Sequence, residues 1–219
     1  MTSAPPYLIP GTSVPLLPGT WGVSHGSGWL GSAIRTAELK MSASERFRNG
    51  DKDASWAGHA FMYAGFHTLT VGGAPAPVIV EAEWPKVKMS PVTAHADAIW
   101  ATGQPLSAEQ RREAEADALG LLGRHYDPFV YGWFLAKAGG MAVTRDLGPL
   151  FRDPHMTICS GCVAHVERRI GVDTAALSLA ATSDPQTIAP ADLLRWGLNA
   201  GTTLTRTDLG WMHKAVPSW

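Results

Sequence analysis

Charge is scarce in this chain and nearly balanced. Of 219 residues only 17% are charged, with 18 Lys plus Arg against 19 Asp plus Glu, a net charge of −1. Without a basic excess, nucleic acid is not expected as a partner. Hydrophobic residues nevertheless make up 45%, which excludes disorder as a description of the whole chain. Cysteine is nearly absent: Cys159 and Cys162 are the only two, too few for a disulfide scaffold. Long apolar runs are missing as well. The longest, Val130 to Val143, is short for a bilayer and contains Lys137, so no membrane span is predicted. The first 34 residues hold no Asp, Glu, Lys or Arg. They also lack the basic start of a secretory signal, and Pro5, Pro6, Pro10, Pro15 and Pro18 break any apolar helix there. No signal peptide is expected. Residues 1–17 read as an uncharged, Pro-rich arm lying along the domain or a neighbouring subunit.

The length suits one large domain, or one domain with extensions. Gly19 to Ser24 reads as a short strand after a turn, and Trp29 to Glu38 as a helix through Leu30, Ala33, Ile34 and Ala37. Met41 to Ser55 is polar and loop-like. Trp56 to Phe66 and Val78 to Trp84 flank a Gly72-Gly73 turn and predict a β-hairpin, with a short third strand over Lys86 to Met89. Ser107 with Gln110 forms a capping box for a helix ending at Gly123. A further helix with its approach segment spans Met156 to Gly171. Another opens at Pro190 and runs through Leu198, and Thr202 to Thr207 reads as an edge strand. Helices and a hairpin without βαβ alternation predict an α+β fold. The residues divide into the arm (1–17), a domain (18–200) and a C-terminal strand and tail (201–219) holding Trp211 and Trp219.

Cys159 lies in Thr157-Ile-Cys-Ser-Gly-Cys162, where a helix is predicted to begin. The unpaired N–H groups and positive potential of a helix N-terminus stabilise a thiolate, the nucleophilic form of cysteine. His59 lies between small residues on the aromatic strand, a setting for a general base. Glu81 follows an apolar run on the next strand, and a half-buried carboxylate there needs a partner. Strand pairing would let it orient His59. Glu83 has the same strand parity, so spacing does not separate the two. Three bland or rival readings compete. Cys159 and Cys162 are also a C-x-x-C pair of the redox type, but that motif wants a strand–helix–strand context. With His165 they also offer three zinc ligands, one short of a structural site. The third rival is a non-catalytic module of a larger assembly.

Taken in order, these motifs resemble the NlpC superfamily of papain-like cysteine hydrolases, in its circularly permuted branch (the YiiX-like and lecithin:retinol-acyltransferase-like group). In unpermuted members the Cys segment precedes the His strand; here the His strand comes first, and Gly123-Arg-His-Tyr126 and Ile158-Cys-Ser-Gly161 follow. Pro18-Gly19-Thr-Trp-Gly-Val is similar to the branch's opening strand, Leu30 to Arg35 to its next helix, Val80-Glu-Ala82 to its acid-bearing strand, and Pro190-Ala-Asp-Leu193 to a late segment. Two departures stand out. Thr20 replaces a usual Asp, and Ile158 stands where unpermuted members have Asp.

The resemblance implies a papain-like antiparallel sheet packed against a Cys-bearing helix. Cys159 would be the nucleophile, His59 its base and Glu81 the third residue, with Tyr126 and Ser160 at the substrate site. No cofactor and no metal are implied. The implied activity is hydrolysis of amide bonds, foremost in the stem peptides of cell-wall peptidoglycan, with lipid and acyl substrates as the branch's other class. Combined with the uncharged arm and the missing signal, this gives two expected locations: a phage tail, in contact with tail proteins, or the bacterial cytoplasm.

Overall fold

A computed structural model describes residues 6–26, 56–127, 155–172, 190–199 and 203–206, with positions 32, 34, 132 and 188. Most of the predicted helix from Trp29 to Glu38, the loop from Met41 to Ser55, most of the apolar stretch from Val130 to Val143 and the tail with Trp211 and Trp219 lie outside them.

Ten strands and three helices occur among the described residues, together with a short 3-10 turn at Val92–Ala94. In chain order they are β1 (Tyr7–Leu8), β2 (Pro15–Leu16), β3 (Trp21–Ser24), β4 (His59–His67), β5 (Ala76–Glu83), β6 (Lys86–Pro91), β7 (Ile99–Ala101), α1 (Ala108–Gly120), β8 (His125–Tyr126), β9 (Met156–Thr157), α2 (Cys159–Arg169), α3 (Pro190–Asn199) and β10 (Leu204–Arg206). Eight strands form one sheet in the order β10-β7-β3-β4-β5-β6-β8-β9. Every neighbouring pair is antiparallel except β8 and β9. The α+β expectation therefore describes the molecule, and the sheet is almost wholly antiparallel.

The sheet has two covered faces because β4 and β5 alternate between apolar sets. Ala60, Met62 and Ala64 of β4, with Val78, Val80 and Ala82 of β5, join a core with Ala114 and Ala118 of α1 and Val163 and Val166 of α2. Phe61, Tyr63 and Ile79 form a second cluster with Trp100, and Ile9 and Leu16 of the arm cover it. The β1–β2 hairpin (Tyr7 opposite Leu16) carries those two side chains, each 1% exposed. The arm thus lies on its own domain.

The capping box at the start of α1 is formed as predicted: Ser107 Oγ accepts from Gln110 N–H and Gln110 Oε1 from Ser107 N–H. Gly123 and Gly171, at φ +83° and +85°, follow the helix ends as left-handed caps. The strand after Lys86 reaches Pro91, and the late strand pairs with β7 at the sheet edge. The sequence reading had no strand at Ile99–Ala101, which is three residues long and fully buried. With no polar face it shows no alternation to detect.

One buried carboxyl sits in the helical layer. Glu167 of α2 accepts from Gln104 Nε2 at 3.0 Å, while Glu167 Oε1 and Gln104 Oε1 have no hydrogen-bond partner among the described residues. Burial pushes this carboxyl up to about 8, against the weaker opposing pull of Gln104 and Arg111.

Candidate active site

Three separate pieces of chain meet at one end of β4. His59 opens that strand, and β3 fixes it by pairing Ser24 with His59. Glu81 comes from β5, whose register sets it beside Phe61, two residues along from His59. Cys159 is the first residue of α2. The two-residue β9 leads directly into that helix and is held to β8 by parallel pairing at the sheet edge. A strand does precede the C-x-x-C segment, contrary to the sequence expectation, but it is too short to have been seen there.

His59 Nε2 bonds Glu81 Oε2 at 2.7 Å. Nδ1 is the nitrogen left for Cys159, and the imidazole and the thiol each shift the other's titration as side-chain hydrogen-bond partners. Burial alone would push the imidazole down. The hydrogen bonds and charges of Cys159 and Glu81 outweigh it and raise His59 to about 10. Burial likewise opposes the Cys159 thiolate, but His59, with the N–H groups of Ala60 and Ser160, holds the thiol below its ordinary value. The capping residue Ile158 has no side chain able to cover the first-turn N–H groups of α2. An apolar residue before Cys159 thus leaves the helix end open toward the sulfur.

Glu81 is 2% exposed and has four neighbours. Besides His59, its Oε2 takes His95 Nε2 at 2.7 Å; Oε1 accepts from Ser90 Oγ at 2.5 Å and lies 4.0 Å from Lys88 Nζ. Burial would raise the carboxyl, but the two imidazoles hold it well below the usual carboxylate range. Glu83, the alternative third residue, is half exposed and pairs with Lys88 instead.

His95, Ser24 and Ser90 were not anticipated. His95 lies just beyond the 3-10 turn, stacks on Phe61 at 4.4 Å and 18°, and shares a hydrogen bond with Ser24 Oγ through Nδ1 at 3.2 Å. No spacing rule joins it to Glu81; only the fold does. Ser90 lies one residue past the predicted third strand, and the β5–β6 register sets it opposite Ile79, next to Glu81 on the same face.

The other two expected site residues sit deeper. Tyr126 is 4% exposed and belongs to the apolar cluster that contains Ile158 and Cys159. Ser160 is fully buried, and its hydroxyl donates to Ile188 O at 2.5 Å. Its side chain is thereby committed to the fold, and its N–H is what it offers the site. Cys162 is buried one turn on, with Thr157 Oγ1 as its polar neighbour at 3.7 Å, and burial pushes its thiol up to about 12. A thiol so held is a poor redox partner.

Among the described residues one group can hold a metal ion: His59, Glu81 and His95, whose donor atoms all lie within 4.8 Å of one another. Cys159, Cys162 and His165 do not form such a group.

No model of a known protein family matches the sequence, and no curated protein matches it. Among solved structures the chain is similar to the metalloprotein yiiX from Escherichia coli O157:H7, with a TM-score of 0.48 and 16% sequence identity, over 88% of this chain and 97% of that one. None of the described helices is long and apolar enough to cross a membrane.

Proposed function

We propose that this protein is a thiol-dependent hydrolase of amide bonds, with Cys159 as nucleophile, His59 as general base and acid, and Glu81 as the residue that orients His59. One observation carries the reading. A cysteine at an uncovered helix N-terminus is hydrogen-bonded to an imidazole whose other nitrogen is held by a buried carboxylate.

Each residue has a chemical task in this arrangement. The proton shared by Cys159 and His59 moves to the imidazole, which leaves a thiolate that attacks the carbonyl carbon. Negative charge then develops on the carbonyl oxygen, beside the open N–H groups at the start of α2. His59 returns the proton to the leaving amine, and the acyl-thioester is hydrolysed by water that His59 deprotonates. Glu81 keeps Nε2 protonated, so that Nδ1 is the nitrogen that exchanges the proton, and it balances the imidazolium charge.

The substrate we assign is the stem peptide of peptidoglycan, on the resemblance of the ordered motifs to the permuted NlpC branch. Incubation with purified peptidoglycan, followed by mass spectrometry of the soluble products, tests it. Release of stem-peptide fragments by the wild type and none by Cys159→Ser is the expected result. Intact peptidoglycan, with cleavage of acylated lipid or thioester substrates instead, would move the assignment to the branch's other class. A site of action on a phage tail belongs to the same proposal and is tested by proteomics of purified particles. The arm lends it no support, because Ile9 and Leu16 are occupied by the chain's own sheet.

A further inference from the structure

The thiol mechanism needs one imidazole on Glu81, and the structure supplies two. His95 Nε2 meets the same carboxylate oxygen as His59 Nε2, at the same 2.7 Å. We propose that His59, Glu81 and His95 form a binding site for a divalent transition-metal ion of the zinc class, and that its occupancy withdraws His59 from Cys159. The inhibitory half of this inference rests on the thiol-hydrolase reading; the binding half does not.

The donor set suits such an ion. Two imidazole nitrogens and one carboxylate oxygen, with a fourth position left open, are ligands that zinc accepts. All three are held from behind. Ser24 Oγ bonds His95 Nδ1, Phe61 stacks on the His95 ring, and Ser90 Oγ donates to the far oxygen of Glu81. Partners of this kind fix the tautomer and orientation of metal-ligating side chains. In a metal-bound state His95 would carry its proton on Nδ1 and donate it to Ser24, leaving Nε2 for the ion. The His59 and His95 side chains are 13% and 15% exposed, which gives an ion a way in, whereas Glu81 at 3% is shielded.

Besides the Nε2 protons that both imidazoles give up to the ion, two geometric features oppose binding. Bonds of about 2.0–2.2 Å set tetrahedral donors about 3.3 Å apart, so each imidazole must retreat by about half an ångström. Lys88 Nζ lies 4.0 Å from Glu81 Oε1 and repels a cation, but it is also paired with Glu83, which compensates part of its charge. With Nε2 bound to an ion and Nδ1 carrying the remaining proton, His59 has no lone pair left for the Cys159 proton.

The test uses the untagged full-length chain, with zinc followed by equilibrium dialysis and elemental analysis, and cobalt(II) followed by visible spectroscopy. One equivalent per chain is expected in both the wild type and Cys159→Ser, with a tetrahedral cobalt spectrum and no thiolate-to-cobalt charge-transfer band. His95→Ala should weaken binding by more than about 100-fold, and Ser24→Ala by about 10- to 100-fold, as for loss of an outer hydrogen-bond partner. His95→Gln keeps an N–H donor near Glu81; it should lose the ion while retaining the wild-type circular dichroism and melting temperature. Unchanged zinc affinity in His95→Ala, or loss of binding in Cys159→Ser, would overturn the assignment. Hydrolysis is assayed separately in EDTA. A chain that binds zinc but never hydrolyses anything refutes the proposed function and leaves the metal site standing. A chain that is active in EDTA and equally active with zinc bound refutes the inhibitory half.

Discussion

Cys159 and Cys162 are one helical turn apart, yet their surroundings give them opposite chemistry. Cys159 meets an imidazole and two N–H groups; Cys162 meets apolar packing and the Thr157 hydroxyl. Both thiols are buried, so the difference should show as a rate: in EDTA-containing buffer at neutral pH, a small alkylating reagent should modify Cys159 faster than Cys162 in the native protein, as read by peptide mass spectrometry. Cys159→Ser should lose more than about 99% of turnover, since removing a covalent nucleophile typically costs far more than that. Cys162→Ser should keep most of it. Equal loss in the two variants would contradict the assigned roles. At this scale the sequence was informative where chemistry leaves a local mark. A cysteine before a predicted helix, a histidine among small residues and a glutamate after an apolar run each stand out in a window of a few residues. His95 does not, because its importance comes from the return of the chain after β6, and nothing in Thr93-Ala-His-Ala-Asp97 encodes where that return ends.

Individual elements carry their own consequences. β3 passes between two aromatic rings at Gly22, where an added Cβ would fall 2.6 Å from the Phe61 ring and 2.8 Å from the Trp100 ring. Gly22→Ala should cost about 1–3 kcal/mol through overpacking. Because β3 pairs with His59, it should lower activity and melting temperature together. Glu167 on α2 makes a different prediction. Its carboxyl is raised from an ordinary value of 4.5 to about 8 in the folded chain, so the folded state favours the protonated form. The stability it contributes is full below about pH 4.5 and falls away as the pH rises toward about 8. Glu167→Gln should flatten the decline in melting temperature across that window, and a slope unchanged by the substitution would refute the account. Most elements were legible because their signals are periodic or capped, as with the Ser107–Gln110 box and the β4–β5 hairpin. β1, β2, β7, β8 and β9 were not, since strands of two or three residues acquire their identity from the neighbours they pair with.

For the molecule as a whole, the arm decides whether the sheet has one covered face or two. Leu16 and Ile9 close the cluster over Phe61, Tyr63 and Trp100. Leu16→Ala should destabilise the protein by about 2–5 kcal/mol in denaturant unfolding, as expected for a buried leucine. An arm free for a partner would tolerate the change, and limited proteolysis should leave residues 6–26 intact in the isolated chain. Absence of charge marked this segment in the sequence but left open which surface it covers, the chain's own or a neighbour's.

His59, Glu81 and His95 all belong to the first half of the chain, within the run from β4 to the turn before β7, whereas Cys159 enters on the far edge of the sheet through β9. During synthesis the base and carboxylate of the proposed mechanism therefore leave the ribosome well before its nucleophile exists. Domains form as units as the chain emerges, and on the proposed mechanism this one holds no activated thiolate until α2 is made and docks against β4. Order of appearance along the chain would then act as a safeguard: the reactive group of the proposed mechanism is the last of the set to be made, and it meets its base only as the domain closes.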